Sequence, residues 1–247
     1  MLKIFNGIII KSDEFSDSDR ILTVFSKEEG KIPILYKRAK QIKKASNAVS
    51  QLFSVSEFVC YKGSNFYIHN SSMLLKSYMN IPNALHRLAI ASYYAQMINY
   101  SYENYQKDER AYNLLIYCMN KTDKFDNDQC IKYIALFQAK LLAILGYAPV
   151  LDCCVVCKKQ SNLCSFDIEL GGTICSNCVR ELHKYQYLSE QDIKILTYLI
   201  NIPLNKENLE KIDLNNIKNL IELLHYCLND KMESHITTYD FLMQALQ

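Results

Sequence analysis

Residues Leu151–Val179 read LDCCVVCKKQSNLCSFDIELGGTICSNCV. Cys154 and Cys157 form one C-x-x-C and Cys175 and Cys178 a second, in the spacing C-x2-C-x17-C-x2-C. That spacing is typical of a four-thiolate zinc site. Each C-x-x-C brings two sulfurs to one ion, and two such knuckles complete the tetrahedral shell that zinc takes at about 2.3 Å. A shell filled by protein sulfur leaves no position for water, so one structural zinc ion is expected, with no catalytic part. Gly171-Gly172 supplies the turn of a short hairpin between the knuckles. A redox dithiol is the rival for any C-x-x-C, but it wants a neighbouring βαβ pattern that the sequence lacks. Cys153 could replace Cys154 as a ligand, although the two-residue gap to Cys157 favours Cys154.

Outward from this stretch the apolar period is helical. Upstream, Asp128–Leu145 carries an Asp at its start and Gly146 at its end, matching N-cap and C′ preferences. Its residues Ile131, Ile134, Ala135, Leu141, Leu142 and Leu145 predict one buried stripe. Further helices are expected from Asn83 onward and over Arg110–Asn120. Downstream, Val179–Tyr185 predicts a short helix, Ser189 with Asp192 a capping-box start for a helix to about Ile200, and Asp213–Asn229 another.

Before Pro82 the character is different. Ile4–Ile10, Ile21–Phe25, Lys31–Tyr36, Gln51–Tyr61 and Asn65–His69 are short and rich in β-branched and aromatic residues. Turn-forming residues separate them at Ser16–Asp19, Glu28–Gly30 and Lys62–Asn65. Five short strands in under eighty residues fit a small barrel such as an OB-fold. The expected class is α+β. An OB-fold nucleic-acid-binding domain over 1–80 precedes an α-helical domain over 81–247, with a zinc-knuckle insertion at 151–179.

The 247 residues are 49% hydrophobic and 22% charged, an ordinary composition for a globular protein with a sizeable core. No apolar run is long enough to cross a membrane, and no cleavable leader is evident. Ten cysteines without an export signal point to a reducing, cytoplasmic setting. The net charge of +2 conceals an asymmetry: residues 1–80 hold twelve Lys/Arg against seven Asp/Glu, and residues 81–247 sixteen against nineteen. The excess is concentrated in Lys37, Arg38, Lys40, Lys43 and Lys44, with no acid among residues 37–44. Cations that neutralise phosphates release condensed counterions, so this run is the candidate nucleic-acid contact. Phe25, Tyr36, Phe53, Tyr61, Phe66 and Tyr67 offer aromatic faces nearby, most of them expected in the barrel core. No Walker loop, nucleophile elbow or metalloprotease histidine pair occurs, and Asp13, Glu14, Asp17 and Asp19 have the composition of a solvated turn. No enzymatic activity is expected.

Two segments carry a family resemblance. GIIIKSDEFSDSDRILTVFSKEEGK (Gly7–Lys31) and FQAKLLAILGYAPVLDCCVVC (Phe137–Cys157), followed by the second C-x-x-C, resemble the bacterial recombination mediators of the RecO family. The resemblance implies a non-enzymatic role in DNA repair and homologous recombination by the RecF pathway, in the bacterial cytoplasm at the nucleoid. It implies binding of single- and double-stranded DNA and annealing of complementary strands. With RecR, such proteins assist RecA loading on DNA coated by single-stranded-DNA-binding protein, whose acidic C-terminal tail they also bind. Carried onto this chain, the zinc ligands fall on Cys154, Cys157, Cys175 and Cys178 and the DNA contact on the 37–44 cations. Lys132 and Lys140 are candidate partners for the acidic tail. A zinc-containing RNA-binding or transcriptional adaptor is the alternative, because OB barrels and zinc knuckles also serve RNA.

Overall fold

The computed structural model describes residues 2–37, 48–179, 186–232 and 236–246. The chain forms two compact units, Met1–Lys124 with Ile236–Gln247, and Phe125–His235.

Unit 1 begins with β1 (Leu2–Glu14), β2 (Arg20–Ser26), β3 (Gly30–Tyr36), β4 (Val55–Lys62) and β5 (Tyr67–Lys76). These close into a barrel in the order β1-β2-β3-β5-β4. The β3–β5 pairing is parallel and the other neighbours are antiparallel. This is the OB-fold, a Greek-key barrel of five strands. Strand alternation sends Phe5, Ile9, Leu22, Val24, Ile34 and Phe58 into one apolar core. Each such side chain contributes about 1.5–3 kcal/mol on burial. Gly7 shares their inward face, and a Cβ there would stand 2.3 Å from Val24 Cγ1, so the strands close only over a hydrogen.

Ile8, Ile9 and Ile10 are all buried, which a half-buried strand does not allow. The reason is that helix α1 (Leu85–Ser101) packs against β1, enclosing its outer face, and a bulge between Ile9 and Lys11 shifts the register. Helix α2 (Glu109–Lys124) packs on α1, and Phe25 points outward from the barrel to meet Tyr102 and Tyr112. The last helix, α6 (Thr238–Ala245), returns to α1. There the Thr238 N–H donates to Gln96 Oε1 at 2.8 Å and the Tyr93 and Tyr239 rings lie 6.0 Å apart. The change from strand to helix periodicity puts a boundary at residue 80. The compact units part at Lys124/Phe125, because α1, α2 and α6 pack within the barrel unit.

Gly30 opens β3 with φ +77°, and a Cβ there would lie 2.2 Å from the Gln106 carbonyl oxygen. The same turn is held by Tyr105 N–H donating to Lys31 O at 2.7 Å. Gly30→Ala therefore combines left-handed strain with a clash against backbone. It should cost about 3 kcal/mol in urea denaturation. A wild-type midpoint would mean that the 103–107 segment does not sit on this strand.

Unit 2 is built on α3 (Asn127–Ile144) with α4 (Glu190–Asn201) and α5 (Leu214–Met232), both of which pack on it. The cap of α3 is Asp126, which accepts from Gln129 N–H at 2.9 Å; Asp128 is the acid of its first turn. Gly146 ends it with φ +86°, its N–H on Ala143 O and that of Tyr147 on Leu142 O, a Schellman closure. The expected stripe is too narrow: α3 is buried at every residue from Cys130 to Ala139, because neighbours flank it on more than one side. Ser189 and Asp192 form the capping box of α4 as expected. The short helix expected over Val179–Tyr185 lies, past Val179, outside the described residues. Among the described residues, no helix is long and apolar enough to cross a membrane.

Candidate metal centre and nucleic-acid interface

Between α3 and α4 the chain makes a small sheet of β6 (Leu163–Asp167), β7 (Gly172–Cys175) and β8 (Gln186–Tyr187), in the order β7-β6-β8. Gly171, with φ +68°, turns β6 into β7, and Leu170 N–H donates to Asp167 Oδ1 at 2.8 Å across that turn. The first knuckle is laced to the hairpin by Val155 N–H on Thr173 O and Thr173 N–H on Val150 O. Gly172 is needed for this approach, since a Cβ would come within 2.6 Å of the Val150 carbonyl oxygen. Within the knuckle, Cys154 N–H donates to Lys159 O, and Lys158 takes φ +63° to reverse the chain.

This lacing brings Cys154, Cys157, Cys175 and Cys178 together, every ligand sulfur within 4.8 Å of the others. Cys157 and Cys175 sulfurs are 3.7 Å apart. A tetrahedron with 2.3 Å bonds has edges of about 3.8 Å, so the spacing fits one zinc ion. The thiols are also tuned. Burial pushes the Cys154 thiol up, but the main-chain N–H groups of Cys157, Cys175 and Val156 outweigh it and bring it down to about 6. The Cys178 N–H lowers Cys175 in the same way. Cys178, hydrogen-bonded to the sulfur of Cys157, is pushed up to about 12. Cys154 and Cys175, both lowered, beside a raised Cys178 make a donor set that a dication would complete. Cys153 lies outside the group; its carbonyl accepts from Thr173 Oγ1 at 3.0 Å. Among the described residues no other set of three or more His, Cys, Asp or Glu side chains lies close enough to hold a metal.

Of the cation run, Lys37 follows β3 and is exposed; Arg38, Lys40, Lys43 and Lys44 lie outside the described residues. Four of the six aromatic candidates, Phe25, Tyr36, Phe53 and Tyr67, are buried. Tyr61 is exposed and Phe66 half-buried. Phe15, which sequence reasoning passed over, is exposed in the β1–β2 turn and stands edge-on to Phe66 at 6.0 Å. The only sequence sign of it was an aromatic residue inside an otherwise polar turn.

Lys132 and Lys140 are not open cations. Lys132 is 5% exposed and its Nζ donates to Glu210 O at 2.9 Å. Lys140 Nζ donates to Ile200 O at 2.6 Å, on the last turn of α4, and burial lowers its pKa. Both act as pins between α3 and the backbone packed on it. Lys132→Met should leave the Glu210 carbonyl without its donor and cost about 1–3 kcal/mol in urea denaturation. An unchanged midpoint would show the lysine to be dispensable to the fold and available to a partner.

Comparison with known proteins decides the kinship. The family model described as "Recombination protein O N terminal" matches residues 1–78, and "Recombination protein O C terminal" matches residues 82–240. The chain belongs to the RecO family. The junction of the two family models falls where the strand pattern gives way to the helical one. A "DNA repair protein RecO" of Thermoanaerobacter sp. is 33% identical over 194 residues, 78% of this chain and 78% of the relative. Its counterpart from Caldanaerobacter subterraneus is 31% identical over 83% of this chain and 82% of its own length. The counterpart from Acetivibrio thermocellus is 29% identical over 96% and 94%.

Proposed function

We propose that this chain is a DNA repair and recombination mediator of the RecF pathway. It binds single- and double-stranded DNA, anneals complementary strands and, with RecR, assists RecA loading on DNA coated by single-stranded-DNA-binding protein, whose C-terminal tail it also binds. The observation that carries this reading is the match of both RecO family models, across 1–78 and 82–240, to a chain whose strands β1 to β5 close an OB barrel. Strand β3 of that barrel leads directly into the cation run that starts at Lys37.

No covalent step is required. Lys37, Arg38, Lys40, Lys43 and Lys44 lower the repulsion between two phosphate backbones while the base edges stay open to pair. Cys154, Cys157, Cys175 and Cys178 hold one structural zinc ion, which fixes the hairpin of β6 and β7 and takes no part in chemistry. The protein works in the bacterial cytoplasm, at the nucleoid. Annealing of complementary single strands, followed by fluorescence transfer, tests the proposal. The wild-type chain should accelerate pairing, and a variant with the five cations changed to Ala should not. Equal rates from both proteins would place the DNA contact elsewhere. No acceleration by the wild type, or a preference for strands bearing 2′-hydroxyls, would sink the mediator reading.

A further inference from the structure

We infer that Phe15 and Phe66 form a platform on which an unstacked base of single-stranded DNA lies. The inference rests on the DNA-binding reading above and adds to it the residues that touch bases.

The two rings come from different turns. Phe15 follows the last residue of β1, and Phe66 precedes the first residue of β5. Their centroids are 6.0 Å apart at an interplanar angle of 69°. Phe15 is 53% exposed, so the pair is not barrel core. Single exposed apolar residues are ordinary, but an edge-to-face aromatic pair at the tips of two polar turns buries little and calls for another explanation.

The backbone beneath the rings is firmly held. Phe15 N–H and Ser16 N–H both donate to Asp19 O, at 3.0 and 3.3 Å, and Asp19 N–H donates to Ser16 Oγ. Gly63 N–H donates to Phe66 O at 3.0 Å, and a Cβ on Gly63 would stand 2.5 Å from that oxygen. The rings are thus presented on fixed main chain, and ordering them on binding costs little.

The charges around the pair select the occupant. Glu14 pairs with Arg20 in the β1–β2 register, and Arg20 with Tyr36 in the β2–β3 register, immediately before Lys37. Tyr67, next to Phe66, pairs with Lys62 on β4 and with Ile34 on β3. By register, Arg20 stands opposite the residue before Phe15, Lys62 opposite the residue after Phe66, and Lys37 one position past Tyr36, the partner of Arg20. Glu14 ends β1 beside Phe15, and Asp17 and Asp19 lie on the turn of Phe15 itself. Because Arg20 faces Glu14 directly, the surroundings of Phe15 disfavour a phosphate, and the uncharged base is the part of a strand that suits the rings. Stacking suits this place because every base has a π-face and the contact needs no charge.

The chain contains no tryptophan, which permits a direct test. Phe15→Trp introduces a single indole whose emission should be quenched by oligothymidylate and not by an equivalent duplex. In parallel, Phe15→Ala with Phe66→Ala should weaken oligothymidylate binding by about 5- to 150-fold, the range of one stacked base, with the salt slope unchanged. Phe15→Tyr should restore it. If fluorescence anisotropy shows oligothymidylate bound while the indole stays unquenched and the double variant keeps wild-type affinity, the platform is wrong and the DNA reading survives. If the wild type binds no DNA, both fall. If the indole emission shifts with protein concentration alone, the rings are an interface between copies of this chain, and the platform is overturned.

Discussion

Changing Cys175 to Ser is expected to release the metal and unfold the hairpin of β6 and β7. Cys175 is the last residue of β7 and a buried member of the four-sulfur group, so its loss opens both the coordination shell and the small core around Ile174. The segment has little else to hold it. That core consists of Cys154, Ile174 and Cys175, with Val155, Leu163, Cys178 and Val179 partly buried against it. Structural zinc supplies roughly 10–16 kcal/mol to small cysteine sites at neutral pH, far more than such a cluster can provide by burial. The wild-type protein should carry one zinc per chain by atomic absorption and Cys175→Ser essentially none. Limited proteolysis should then cut the variant within 151–179. Cys153→Ser is the matched control and should keep its metal, because that sulfur stands outside the group. Equal metal content in Cys175→Ser and the wild type would remove the zinc assignment. A metal-free variant as resistant to protease as the wild type would remove the structural role.

The second large effect concerns salt. Each phosphate neutralised on a single strand contributes about 0.7 to the slope of log affinity against log salt. With Lys37, Arg38, Lys40, Lys43 and Lys44 all changed to Ala, the slope should fall by about 3.5 if each cation meets one phosphate. Binding at low salt should fall by orders of magnitude, and the two proteins should converge as salt is raised. The measurement is a titration of labelled oligothymidylate at four or five salt concentrations. A variant with the wild-type slope would show that these cations are a solvated surface. The slope separates this site from the aromatic platform, whose removal lowers affinity at every salt concentration alike.

Much of the architecture was legible because it rests on local rules. The existence and order of the five strands follow from β-branched runs broken by Ser, Asp and Gly, although β4 starts at Val55 rather than Gln51 and β5 runs from Tyr67 to Lys76, past the expected His69. The capping box of Ser189 and Asp192 follows from a side chain three residues from its amide. The metal group follows from two C-x-x-C pairs, since two residues between ligands leave a chain little choice of geometry. What stayed illegible depends on contacts between distant residues. Alternation along β1 cannot announce that its outer face is covered, so the buried run Ile8–Ile10 is explained only by α1 packing upon it. Lys132 reads as a surface cation until the Glu210 carbonyl is found beside it. Phe15 and Phe66, fifty-one positions apart in the chain, say nothing of each other in the sequence.

By itself, the sequence determined the α+β class, the barrel strands, the main helices and the four cysteines that meet. Each of these is set by propensity, periodicity or ligand spacing within a few residues. The tertiary structure decided where the compact units divide, which lysines are held inward and which aromatic rings face outward. Those outcomes depend on which surfaces remain uncovered after packing. That α6, at the far end of the chain, returns to α1 is of the same kind, because only the apolar face it shares with that helix places it there.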